Sequence, residues 1–181
     1  MSDHMAAEIG IGGKVPISLV PDLCAAIAQE RISRTWGDGN FRPESEEELT
    51  EAFTENDDGL RLLWLCDDEA CYGEFGALEA FLEKHRIPFR RRREGMCEHE
   101  PLIVEYRPET GVLAFHADNA GRAVIPVDGF RPVEKILAEA VDQDRNSSGE
   151  TMALVEAALK LLREHLPPSV PPLEPFEITW E

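Results

Sequence analysis

The stretch "LRLLWLCDDEACYGEFGALEAFLEKHRIPFRRRR", Leu60 to Arg93, decides the fold. Its opening, Leu60–Cys66, is apolar almost throughout, as a strand buried on both faces is. Phe75, Leu78, Phe81 and Leu82 then recur at helical spacing and predict an amphipathic helix. "IPFRRRR", Ile87–Arg93, reads as a returning strand. The unit is strand–helix–strand.

Shifting the sequence by 55 positions lays the same pattern over an earlier segment. Ile9 and Ile11 fall on Trp64 and Cys66; Val20, Leu23 and Ile27 fall on Phe75, Leu78 and Leu82; Ile32 falls on Ile87. In this first copy "EIGIGGKV" (Glu8–Val15) is the strand, and Pro21 sits in the first turn of the helix, where its missing N–H costs little. Leu19, Val20, Leu23, Cys24 and Ile27 form the helix stripe, and "RISRTW" (Arg31–Trp36) returns as a strand.

Two βαβ copies, residues 8–36 and 60–93, predict an α+β fold with the ferredoxin-like split β-α-β arrangement. In it the first strand of each copy is central and the second lies outside, which matches apolar "IGIG" and "LLWLC" against charged "RISRTW" and "FRRRR". A doubly wound α/β sheet of parallel strands is the alternative.

Between the copies, Pro43–Gly59 holds eight acids and no base. Ser45 three residues before Glu48 has the form of a capping box, so an acidic helix is expected, with "NDDG" as the turn after it. Downstream, residues 101–126 predict a β-meander of "PLIVEY", "VLAFH" and "RAVIPV". Helices are expected over 132–144, with a stripe of Val133, Ile136, Leu137, Ala140 and Val141, and over 151–165, with a stripe of Met152, Val155, Leu159 and Leu162. Leu154 and Leu161 fall off the second stripe, and "DRNSSGE" is the loop between the helices. These elements are read as one α+β domain over 6–166.

Residues 167–175 hold five prolines in nine positions and predict an extended polyproline connection of roughly 28 Å. Residues 176–181 are read as a terminal strand, with Phe176, Ile178 and Trp180 on one face, docked on the protein's own sheet edge, with addition to another chain's sheet as the alternative. "MSDHM" has the look of a cloning scar, and residues 1–5 are set aside.

The chain has 181 residues and sets 36 acids against 18 bases, a formal net charge of −18. Such a surface repels phosphate backbones and anionic membranes on average and favours basic protein partners. Four cysteines make no disulfide framework, and neither a signal-peptide h-region nor an apolar run of membrane-spanning length is visible, so a cytoplasmic protein is expected.

Four candidate sites follow from the residues. Cys66-x4-Cys71 with Cys97-x-His99 supplies zinc-type ligands, though not on the tight knuckles that zinc geometry requires. Asp67 and Asp68 follow a buried strand and, with Asp118, make a candidate Mg²⁺ triad for a metal-dependent enzyme. "GIGGK" (Gly10–Lys14) lacks the spacing and the Ser/Thr of a phosphate loop, so its glycines are read as permitting close packing. Arg90, Arg91, Arg92 and Arg93 make the one concentrated basic run. On a strand they alternate between faces with neither face deeply buried, which predicts an exposed edge that meets the chain's own acids, the Glu46–Glu55 helix among them, or binds an anion or partner.

No catalytic motif stands out. The leading expectation is an acidic protein-binding or regulatory module without catalysis or cofactor, similar in charge and size to immunity-protein-like or DNA-mimic-like proteins. Its acidic interaction face would be Glu46, Glu47, Glu48, Glu51 and Glu55, and its partner a basic protein of unknown identity; direct nucleic-acid or membrane binding is not expected, and the oligomeric state is open. The alternative is the metal-dependent enzyme at Asp67, Asp68 and Asp118.

Overall fold

The computed structural model describes residues 3–55, 59–96, 98–118, 120–125, 127–144, 151–166 and 169–180. The expected "NDDG" turn, Cys97, most of the "DRNSSGE" loop and Pro167–Pro168 fall wholly or partly outside the described residues. The chain divides into two compact units where the sequence led us to expect one domain over 6–166. One comprises Met1–Arg122 with Val170–Glu181; the other is Ala123–Ser169.

The first unit begins with β1 (His4–Ile11), β2 (Lys14–Pro16) and, after a short 3₁₀ turn, α1 (Val20–Gln29). It continues with α2 (Glu46–Glu51), β3 (Phe53–Glu55), β4 (Arg61–Cys71), α3 (Gly76–Lys84), β5 (Phe89–Arg93), β6 (Leu102–Arg107) and β7 (Gly111–His116). β8 (Glu177–Thr179) returns to it from the C-terminal end. Six strands form one sheet in the order β3-β4-β1-β5-β6-β7, and every pairing in it is antiparallel. The parallel, doubly wound alternative is thereby overturned.

Burial explains the layering. On β1 the side chains of Met5, Ala7, Ile9 and Ile11 are buried on one face. They join Leu63 and Leu65 of β4 and Phe89 of β5 in a core closed by Leu23 and Ile27 of α1 and Leu78 and Leu82 of α3. Both helix stripes read from the sequence face this core, and α1 packs against α3. Met5, set aside with residues 1–5, is itself buried and pairs with Ala70.

Several expected elements differ. "RISRTW" does not form a strand: only Ser33 bridges, to Cys66, through Ser33 N–H to Cys66 O at 2.7 Å and Cys66 N–H to Ser33 O at 2.9 Å. The Ser33 hydroxyl then bonds the carbonyls of Asp38 and Gly39, and a turn through Gly37, whose φ is +77°, takes the chain off the sheet edge. The acidic helix stops at Glu51, and β3 fills the edge beside β4. Its cap is as expected, with Ser45 Oγ accepting from Glu48 N–H, although Glu48 reaches back to Glu44 N–H. "RAVIPV" forms no strand among its described residues, so the meander has two strands. Asp118 accepts from the N–H groups of Ala120 and Arg122 and turns the chain away from β7. Because β6 and β7 extend the sheet beyond β5, the arginine strand is interior rather than an exposed edge.

The last strand docks in cis, on β2 rather than on the main sheet. β2 and β8 pair in parallel, Val15 opposite Ile178. The glycines of "GIGGK" make the close approach possible. A Cβ at Gly12 would stand 2.3 Å from Glu174 O, and Gly13 exchanges backbone hydrogen bonds with Glu174 O and Glu177 N–H. Phe176 is buried against Phe53 with ring centroids 5.0 Å apart, whereas Trp180, expected on the same face, is 77% exposed.

The second unit contains α4 (Arg131–Asp144) and α5 (Thr151–His165), packed on each other. Val133 and Ala140 of α4 and Ala158 of α5 are its buried residues. Of the expected α5 stripe, Val155 and Leu162 are half-buried while Met152 and Leu159 are exposed, and Leu154 and Leu161 are half-buried in addition. Among the described residues no helix is long and apolar enough to cross a membrane.

Candidate functional site

β5 places its arginines alternately on the two faces of the sheet, as its period demands. Arg91 lies on the helix-covered face and is only 4% exposed, which overturns the expectation that neither face is deeply buried. The loop that ends β4 closes over it. Arg91 Nη1 donates to the carbonyl of Gly73, Nε lies 2.8 Å from Glu79 Oε1 of α3, and Nη2 lies 4.0 Å from Glu74 Oε1. The Nε contact is an ion pair rather than an aligned hydrogen bond. Burial pushes the Glu79 carboxyl up, against the downward pull of Arg91 and of the Phe75 N–H. On the same face Arg93 Nη1 donates to Tyr72 O at 3.1 Å.

Arg90 and Arg92 lie on the opposite, outer face and meet acids across the strands. Arg92 is paired in register with Glu8, their charged groups 3.5 Å apart. Arg90 is opposite Glu105, Nε to Oε1 3.4 Å. The acids that take up the run are thus Glu8, Glu74, Glu79 and Glu105; none belongs to the Glu46–Glu55 segment that the sequence pointed to.

Arg107, which the sequence did not single out, organises this outer face. It is 5% exposed. Nη1 donates to the carbonyls of Phe89 and Tyr106 at 2.9 Å, Nε to Pro171 O at 2.8 Å, and Nη2 to Glu105 Oε2 at 2.8 Å. One guanidinium therefore pins both Glu105 and the proline-rich segment. Between that segment and the sheet lies a cavity of about 500 Å³. Trp64, Leu62 and Arg90 are among its sheet-side walls, and Val170–Leu173 closes the other side. The Trp64 ring lies across Gly10 of β1, where a Cβ would come within 1.9 Å of it. Its Nε1–H points to Glu8 Oε2 at 3.4 Å.

The acidic face of α2 and β3 is open to solvent: Glu47, Glu48, Glu51 and Glu55 are exposed and Glu46 is half-buried. The Mg²⁺ triad does not assemble. The register Asp67–Ala7–Arg93–Leu102–His116 separates Asp67 from the end of β7 by about 19 Å at ~4.8 Å per strand. Asp68 accepts from Gly37 N–H, and Asp67 from Glu69 N–H. The Arg122 N–H and guanidinium hold the Asp118 carboxyl below the usual range. Among the described residues no three His, Cys, Asp or Glu side chains gather as a metal-binding group. The metal-dependent enzyme reading falls with that triad.

The zinc set fares the same way. Cys66 and Cys71 lie at different points along β4, about 15 Å apart at ~3.4 Å per residue with one bulge, and Cys97 is outside the described residues. His99 pairs with Asp3 at 3.1 Å. Cys66 is core: burial, with Asp68, Glu8, Asp67 and Asp38 adding to it, pushes its thiol up to about 11.

No family model, curated protein or solved structure matches this chain.

Proposed function

We propose that this is an acidic protein-binding module acting in the cytoplasm, whose surface recognises a basic partner. The observation that carries the reading is the inward use of the positive charge. Arg90, Arg91 and Arg92 are each ion-paired to a glutamate of a neighbouring element, and Arg93 is spent on a backbone carbonyl. The exposed carboxylates of Glu47, Glu48 and Glu51 have no base on α2 to offset them, whereas Glu55 stands opposite Arg61 of β4. Such a face attracts cationic partners from a distance and repels phosphate backbones. The immunity-protein-like or DNA-mimic-like role is the form of this reading that the charge favours. Its scaffold is read as a reduced ferredoxin-like split β-α-β core, supported by the neighbour order β4-β1-β5 and by the helices α1 and α3 on one face. In that reading the outer strand of the first copy is reduced to the Ser33 bridge.

The test is affinity capture from the source cell with the wild-type chain and with an E47K/E48K/E51K variant, eluted by a salt gradient. Recovery by the wild type of a basic protein that the charge-reversed variant does not hold supports the module. Equal recovery by both chains, or capture insensitive to salt, overturns it.

A further inference from the structure

We propose that the cavity beneath the proline-rich segment binds a small planar carboxylate, its ring on Trp64 and its carboxylate on the terminal nitrogens of Arg90. The volume of about 500 Å³ lies in the range of small-molecule sites. Its walls combine apolar surface, Leu62, Trp64, Pro172 and Leu173 among it, with the polar groups of Thr54, Glu55, Arg90, Glu105 and Arg107.

The Arg90 guanidinium is oriented through an ion pair to a carboxylate that is itself held in place. Arg107 is buried and fully engaged, and it holds Glu105 by Oε2; Glu105 in turn takes the Nε edge of Arg90 by Oε1. The Arg90 side chain is 42% exposed against 12% for Glu105, and its terminal nitrogens have no partner among the described residues. With Nε in a 3.4 Å ion pair to Glu105, the guanidinium has its terminal nitrogens left to meet one carboxylate in bidentate geometry. Arg90 and Arg107 face Glu55 and Glu105 on the lining, which leaves no net charge, so a dianionic phosphate meets more repulsion than a singly charged carboxylate held by Arg90.

The shape selects a flat ligand. The benzo ring of Trp64 occupies the space above Gly10, and the indole lines the cavity together with the proline-rich wall, where it offers an aromatic surface to a flat ring. A peptide strand is the poorer occupant. The wall offers little backbone to pair with: Pro171 and Pro172 have no N–H, and the Pro171 carbonyl already accepts from Arg107.

This site does not rest on the acidic-face reading, with which it shares Glu55, and its test substitutes different residues. 2-Naphthoate is titrated into the full chain by calorimetry, with the Trp64 indole N–H followed in ¹⁵N-correlated spectra and assigned through W64L. Naphthalene-2-methanol and 2-naphthylmethylamine are the neutral and cationic controls. The expected result is saturable binding of the naphthoate, at least tenfold tighter than either control, with the Trp64 resonance shifting. Binding weakens at least tenfold in R90Q and in W64L, with circular dichroism unchanged. R90K, which keeps the charge and loses the planar fork, guards against a folding defect in R90Q and is expected to fall between R90Q and wild type. Absence of saturable binding, equal binding of the three probes, or wild-type affinity in folded R90Q or R90K overturns the proposal.

Discussion

Arg91 has the largest energetic consequence of any single residue in the arginine run. Its charge is buried with Glu79, and removing one partner strands the other in a low-dielectric site. Arg91→Ala is expected to lower the unfolding free energy by roughly 3–5 kcal/mol, whereas joint replacement by Met and Leu at Arg91 and Glu79 recovers most of it. Urea titrations of the three chains check both. The pair also carries a pH signature. Burial raises the Glu79 carboxyl in the folded chain above its unfolded value of about 4.3, so the folded state holds this proton more tightly. The contribution of Glu79 is full below that value and is lost as pH rises through the raised one. The stability advantage of wild type over E79Q should therefore shrink as pH is raised from 4 toward neutrality; an advantage that grows with pH contradicts the assignment. None of this was legible in "FRRRR" itself. The alternation of faces follows from the strand period, but the burial of Arg91 depends on the Tyr72–Glu74 loop, whose path the sequence does not announce.

At the scale of elements, legibility tracked local hydrophobic pattern. β1, β4, α1 and α3 were all readable because each buries its own periodic apolar residues, and β5 because Ile87 and Phe89 anchor its start. "RISRTW" failed because only Ile32 and Ser33 are buried there, and the turn through Gly37 competes with sheet pairing. The α5 stripe was right at Val155 and Leu162 and wrong at Met152 and Leu159, because its apolar residues populate more than one face and only packing on α4 chooses among them. The cavity was not legible at all. Its walls come from residues 54, 55, 60, 62, 64, 90, 105, 107 and 170–173, brought together by register and by the cis docking of β8. That docking makes its own prediction. Phe176 is 3% exposed against Phe53, and Trp180 is 77% exposed. Phe176→Ala should cost roughly 3–5 kcal/mol, as a buried aromatic truncation does. Trp180→Ala should stay within about 0.5 kcal/mol, as an exposed site does. Thermal or urea unfolding of the two variants distinguishes a strand that belongs to the fold from a tail: similar small effects at both positions would show that β8 is dispensable.

For the whole molecule the governing quantity is the net charge of −18. The two charge populations sit in different dielectric surroundings. Arg91 and Arg107 are buried with their glutamates and are poorly screened, while the carboxylates of α2 and the end of β3 stand in solvent, within reach of counterions. Salt therefore acts mainly on the repulsion among exposed acids, which destabilises the compact state, and little on the pairs that hold it. The unfolding midpoint should rise as sodium chloride is increased from low ionic strength to about 0.3 M, where the Debye length has fallen below ~6 Å. Neutralising the face in E47Q/E48Q/E51Q should raise the low-salt midpoint and flatten the salt slope, because part of the repulsion is already gone. A midpoint that falls with salt would mean that exposed ion pairs dominate the balance, and would remove the electrostatic ground on which a basic partner is inferred. The same screening bears on recognition: a face that costs stability when bare gains most when a cationic surface covers it, so partner binding and added salt should stabilise the chain less than additively.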